Sequence, residues 1–236
     1  MQKTSRNAMM KTEYFKKPGV FMTKKEKANL VIQLLEERYP DALCSLVAAT
    51  PLQLLIATRL SAQCTDARVN IVTPDLFARF PTIDDFADGN IEEVETYVKS
   101  CGFYKTKAAD IVNMSKMIRD EYNGVVPDTI EELTKLPGVG RKTANLIVGD
   151  VYGKPAIVVD THLIRISNRL GLVDSVDPFK IEMSLKKILS PLKSNDFCHR
   201  IVLFGRDVCV ARKPRCENCP LSSVCKFYKK LEMRSH

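Results

Sequence analysis

Apolar residues recur at three- and four-residue intervals along most of this chain, and capping and turn residues cut the pattern into helices. Thr23 with Glu26 reads as a capping box opening a helix that carries Ala28, Val31, Leu34 and Leu35 and is closed by Pro40. Thr50-Pro51 opens the next, through Leu54, Leu55, Ala57 and Leu60 to about Ser61. A third is predicted over 66–79, bent near Pro74. Asn90 caps a helix ending at Gly102, residues 105–122 form a long one stopped by Gly124, and Thr129 starts a short one broken at Pro137-Gly138.

Residues 140–152 are apolar almost all round (Ala144, Leu146, Ile147, Val148, Val151), which predicts a helix inside a core. Ile157, Val158 and Val159 form a brief extended run with no partner strand. Asp160 then caps a helix ending at Gly171, and further helices are expected at about 177–190 and 195–207. The fold class is therefore all-α.

Composition changes this picture little. The 236 residues suffice for one large domain or two small ones, and 45% hydrophobic with 27% charged residues is ordinary for a globular chain. No stretch approaches the ~20 apolar residues of a membrane span, and no secretion signal is legible, so a cytoplasmic or nucleoid-associated protein is expected. The net charge of +8 favours a polyanionic partner. Residues 1–22 read as a basic tail that could touch DNA phosphates.

Chemistry concentrates at two places. In Leu136-Pro137-Gly138-Val139-Gly140-Arg141-Lys142-Thr143, a glycine-bracketed turn leads into the core helix. Glycines let backbone approach a ligand closely, and N–H groups at a helix start bind anions such as a DNA phosphate. Lys142 falls in the first turn. The helix dipole, Arg141 and partial desolvation are expected to disfavour its charged form and free the amine for Schiff-base chemistry. Separately, Cys209, Cys216, Cys219 and Cys225 crowd into 17 residues and suit either tetrahedral zinc or a 4Fe-4S cluster. Zinc ribbons usually pair two C-x2-C hairpins, and only one such pair is present here. The remaining cysteines, 44, 64, 101 and 198, read as buried small hydrophobes.

LPGVGRKTAN followed by VDTH, with Lys142 and Asp160 eighteen positions apart, resembles the helix-hairpin-helix DNA glycosylases. The lysine narrows the resemblance to the endonuclease III branch, over roughly residues 24–230, and the C-terminal cysteine spacing is similar to that branch's 4Fe-4S cluster. The resemblance implies a bifunctional base-excision enzyme acting on double-stranded DNA that contains oxidised pyrimidines or abasic sites. Lys142 would attack C1′ and displace the base, β-elimination would cut the strand 3′ to the lesion, and Asp160 would stabilise the developing positive charge. Flipping a base leaves a gap to fill. Leu60-Ser61-Ala62-Gln63-Cys64-Thr65-Asp66 resembles the segment whose glutamine enters the stack, making Gln63 the candidate wedge. At the second inserted position, where the family often has leucine, stands Phe103, whose other reading is a core aromatic.

Gly138, Val139, Gly140, Arg141 and Thr143 are the expected phosphate grip, and Arg212, Lys213 and Arg215, between the first two cysteines, a second basic contact. Arg165 and Arg169, with His162 one turn earlier, form a stripe that could face DNA. Two domains are expected: a helical bundle over 48–154, and a cluster domain of 23–47 plus 155–236, with Lys142 and Asp160 on opposite lips of a cleft. A monomer with no membrane partner is expected. The rivals are a monofunctional mismatch glycosylase on the same fold, which usually lacks the lysine, a non-catalytic DNA-binding module, which needs neither Lys142 nor Asp160, and a zinc-dependent factor.

Overall fold

The computed structural model describes residues 22–233, so the expected basic tail up to residue 21 lies outside the described residues. Those described are helical, with no strand among them. They divide into two compact units: Cys44–Lys154, and residues 22–43 together with 155–233. The sequence boundary at 47/48 differs from this by four residues. Asn70 accounts for the difference: its side chain accepts from the Val47 N–H and donates to the Ser45 carbonyl, tying that segment to the first unit.

In the hairpin unit, the helices are α2 (Pro51–Ser61), α3 (Asp66–Arg79), α4 (Ile83–Ala87), α5 (Ile91–Val98), α6 (Tyr104–Glu121), α7 (Ile130–Leu133) and α8 (Arg141–Asp150). Helix α1, Lys24–Arg38, belongs to the other unit. The long α6 packs on α4, α5 and α2, and α8 closes against α2 and α7. Leu55, Ile56, Leu60, Leu76, Ile111, Met114, Ala144 and Ile147 are fully enclosed, with Phe80 stacked on Phe86 at 5.1 Å. Helix α3 runs unbroken through Pro74. The helix expected over 90–102 is α5 followed by one 3-10 turn, Lys99–Cys101, because Gly102 takes a left-handed φ of 69°. Helix α4 was not predicted, although Thr82 and Asp85 form a full capping box at its start.

The cluster unit contains α1, α9 (Thr161–Leu170), α10 (Pro178–Lys186), α11 (Ser194–Asp207) and α12 (Lys226–Glu232). Helix α11 packs against both α1 and α9, around Val31, Leu35, Leu163, Ile166, Leu185, Phe197, Ile201 and Phe204. At the α9–α11 contact stands Gly205. A β-carbon there would lie 2.4 Å from His162 Nδ1 and 3.0 Å from both Arg165 Nη2 and Ile166 Cδ1, so only glycine permits this approach.

Candidate active site

The hairpin is built from the bottom of its turn upward. Leu136 and Val139 are buried and anchor it, with the Val139 N–H donating to the Leu136 carbonyl at 3.1 Å. Gly138 and Gly140 are left exposed at the surface. Val139 therefore holds the grip in place, and its side chain is not itself offered to a ligand. Gly138 has φ 72°, and a β-carbon there would lie 2.5 Å from Arg59 Nε and 2.6 Å from Asp110 Oδ2. Beneath the turn those two side chains form an ion pair of 2.5 Å, each less than a fifth exposed.

Gly140 is the N-cap of α8 and supplies no side-chain acceptor. The first turn thus presents backbone N–H groups and the positive end of the dipole, an arrangement that takes an anion. Arg141, Lys142 and Thr143 make up that turn. Lys142 is exposed, so the expected desolvation does not apply: the buried positions of α8 are Ala144, Asn145, Ile147, Val148 and Gly149, none of them in its first turn.

Two further loops of the same unit carry the expected wedge residues. Gln63 (φ 55°) and Phe103 (φ 48°) both adopt the left-handed backbone that non-glycine residues rarely take. Gln63 is exposed, and Phe103 is 67% exposed, which excludes the core-aromatic reading. Sequence reasoning missed what lies between these loops. Lys107, one turn into α6, is buried and donates to the carbonyls of Leu60, Ala62 and Cys101, each at 2.8 Å.

In the cluster unit, Asp160 caps α9 as expected, with Oδ1 accepting from the Leu163 N–H at 2.7 Å. It is half-buried. The four clustered cysteines line one pocket with Ile166, Leu170, Phe204, Val208, Leu221 and Phe227. Burial pushes the Cys216 and Cys225 thiols up and Cys219 to about 11, and each is raised further by neighbouring cysteines. Four anionic sulfurs this close require compensation. The surroundings partly supply it: Arg169 Nη1 lies 3.3 Å from Cys209 Sγ, and backbone N–H groups of Leu221, Phe227 and Tyr228 donate toward Cys219 and Cys225. Four thiolates lining one pocket fit a 4Fe-4S cluster, each ligating one iron.

Arg165 and Arg169, the stripe that could face DNA, are half-buried and hold backbone carbonyls of their own unit. Arg165 donates to the Cys209 and Gly205 carbonyls, and Arg169 to those of Val210 and Ala211 while stacking over Phe227 at 4.8 Å. They clamp the start of the cysteine loop, because unsatisfied carbonyls there attract the nearest cations. Arg212, Lys213 and Arg215 are exposed on that loop, and Arg215 lies 3.7 Å from Asp207, which already holds Arg38 at 2.7 Å.

Residues 56–191 match the family described as HhH-GPD superfamily base excision DNA repair protein, and residues 209–225 match the iron-sulfur binding domain of endonuclease III. Endonuclease III of Synechocystis is 46% identical over 204 residues, covering 86% of this chain and 93% of that relative. The Bacillus subtilis endonuclease III is 45% identical over 193 residues, covering 80% of this chain and 87% of the other. A solved structure of a trapped endonuclease III–DNA covalent intermediate superposes with a TM-score of 0.82 at 44% identity, covering 90% of this chain and all of that one.

Proposed function

The chain belongs to the endonuclease III family of HhH-GPD base excision DNA repair proteins, and from that premise we propose that Lys142 and Asp160 carry its chemistry on oxidised pyrimidines in duplex DNA. It is a bifunctional DNA glycosylase and AP lyase with a 4Fe-4S cluster. What supports the assignment to Lys142 most directly is its place: an exposed amine two residues past a glycine-bracketed turn, in the uncapped first turn of α8.

The roles follow from that placement. A phosphate held by the N–H groups around Gly138, Gly140, Arg141 and Thr143 would fix the strand beside the amine, carrying no base information itself. The Lys142 amine forms a bond to C1′ as the C1′–N bond to the base breaks, and the base leaves with a proton. Ring opening gives an iminium that acidifies the C2′ proton. Its removal expels the 3′ phosphate, and water then releases the lysine. Asp160, a carboxylate held by a backbone N–H, stabilises positive charge developing on the sugar and assists the proton transfers. Gln63 and Phe103 fill the vacated stack.

Cys209, Cys216, Cys219 and Cys225 would hold the cluster, which fixes the loop bearing Arg212, Lys213 and Arg215 for contact with the phosphate backbone. The protein acts as a monomer on nucleoid DNA in the cytoplasm; among the described residues no helix is long and apolar enough to cross a membrane. Duplexes each carrying one thymine glycol, one 5-hydroxycytosine, one G·T mismatch or no lesion test the substrate class. Release of the free oxidised base with cleavage 3′ to it is expected for the first two alone. Preference for the mismatch, or action only on abasic sites already formed, would contradict the reading.

A further inference from the structure

The side chain of Lys107 stands where two helix ends meet. Leu60 and Ala62 contribute carbonyls from the end of α2, and Cys101 contributes one from the end of the 3-10 turn before Gly102. These are carbonyls that a helix end leaves without an intrahelical partner. An ammonium has three donors, and all three are used, each at 2.8 Å. Lysine suits the place because a helical side chain leans back toward its own N-terminus, so from the second turn of α6 it reaches under the loop that precedes the helix. The Lys107 N–H donates to the Phe103 carbonyl, so backbone and side chain of one residue grip both flanks of that loop.

Sharing one ammonium, the Ala62 and Cys101 carbonyl oxygens are no more than twice 2.8 Å apart. Each is followed within two residues by a non-glycine residue held at left-handed φ: Gln63 after Ala62, Phe103 after Cys101 and Gly102. Such conformations persist only where the surroundings over-determine them. Burial pushes the lysine below its usual range, so its charge is kept by the three carbonyls and not by solvent.

We propose that Lys107 is a positioning residue for base extrusion, its enclosed ammonium fixing the loops of Gln63 and Phe103 at the spacing needed to enter the DNA stack together. The proposal rests on reading Gln63 and Phe103 as the inserted residues. It assigns Lys107 no contact with DNA.

The test compares wild type, Lys107→Met, the pair Gln63→Ala/Phe103→Ala, and the triple variant. Each is assayed for excision of thymine glycol from duplex and for borohydride trapping on a single-stranded oligonucleotide with a pre-formed abasic site, where no stack has to be entered. Lys107→Met should lower kcat/KM on the duplex by about tenfold or more and leave single-strand trapping within about twofold of wild type. Added to the wedge-deficient pair, it should lower duplex excision by no more than about a further twofold. Lys107→Arg, which keeps a cation and several donors, should recover much of the duplex activity. Equal losses on both substrates, or a full multiplicative loss in the wedge-deficient background, would reduce Lys107 to a general structural cation. Wild-type duplex excision by the wedge-deficient pair would instead overturn the insertion reading, and this proposal with it. Should Lys107→Met fail to fold, Lys107→Gln, able to serve two of the three carbonyls, enters the same comparisons.

Discussion

Gly138→Ala isolates the support beneath the phosphate grip. The new methyl must sit at φ 72°, which costs about 1–2 kcal/mol for a residue with a β-carbon. It would also lie 2.5 Å from Arg59 Nε and 2.6 Å from Asp110 Oδ2, so the ion pair must part or the turn must lift. Each partner is less than a fifth exposed and has little room to move, and weakening their charged hydrogen bond, worth about 1.5–3 kcal/mol if lost outright, adds about 1–2 kcal/mol. The total is about 2–4 kcal/mol. Hydrogen exchange by amides of α2, α6 and α8 reads that local cost without assuming that two units and a cluster unfold together. Protection should fall by roughly 30- to 700-fold. In a chain with both Arg59 and Asp110 changed to Ala, the same substitution should cost only the backbone portion, about 1–2 kcal/mol. A loss below about 0.5 kcal/mol, or the same loss in both backgrounds, would refute the reasoning.

Asp160→Asn should leave thermal stability nearly unchanged, since asparagine caps a helix about as well as aspartate, while turnover falls sharply; unchanged turnover would make Asp160 a cap alone. Cys216→Ser should lose iron and sulfide, measured by metal analysis and visible absorbance, and yield poorly folded protein; a stable, active, iron-free variant would contradict this. Gly205→Ala must displace the His162 and Arg165 side chains or part α9 from α11, and should destabilise the cluster unit by about 1–3 kcal/mol, with faster release of iron to a chelator because Arg165 bridges Gly205 and Cys209. Iron release at the wild-type rate would show that this contact does not support the cluster.

What was legible in the sequence was local. Thr23, Thr50, Asn90, Thr129 and Asp160 each accept from a backbone N–H two or three residues ahead, so caps read from spacing fall where they were expected. The hairpin, its lysine and the cysteine spacing were equally visible, because each lies within a short continuous segment. What escaped depends on partners distant in sequence. Arg59 and Asp110 are 51 positions apart, and Lys107 reaches back 47 to Leu60; a lone charge on a helix does not announce that it is buried. Arg165 and Arg169 share a helix face, but periodicity does not say what that face meets, and carbonyls more than 40 residues onward claimed it. Helix α4 was missed although its box is local, since Asp85 stands where glutamate or glutamine is the usual partner.

The measurement that tests the central claim most directly is borohydride trapping on duplex DNA containing one thymine glycol, with wild type beside Lys142→Gln. The account predicts a covalent protein–DNA adduct with wild type and none with the variant, while the variant still binds the damaged duplex and keeps its cluster. An adduct formed equally by Lys142→Gln, or none by a wild type that binds tightly with its cluster intact, would contradict it.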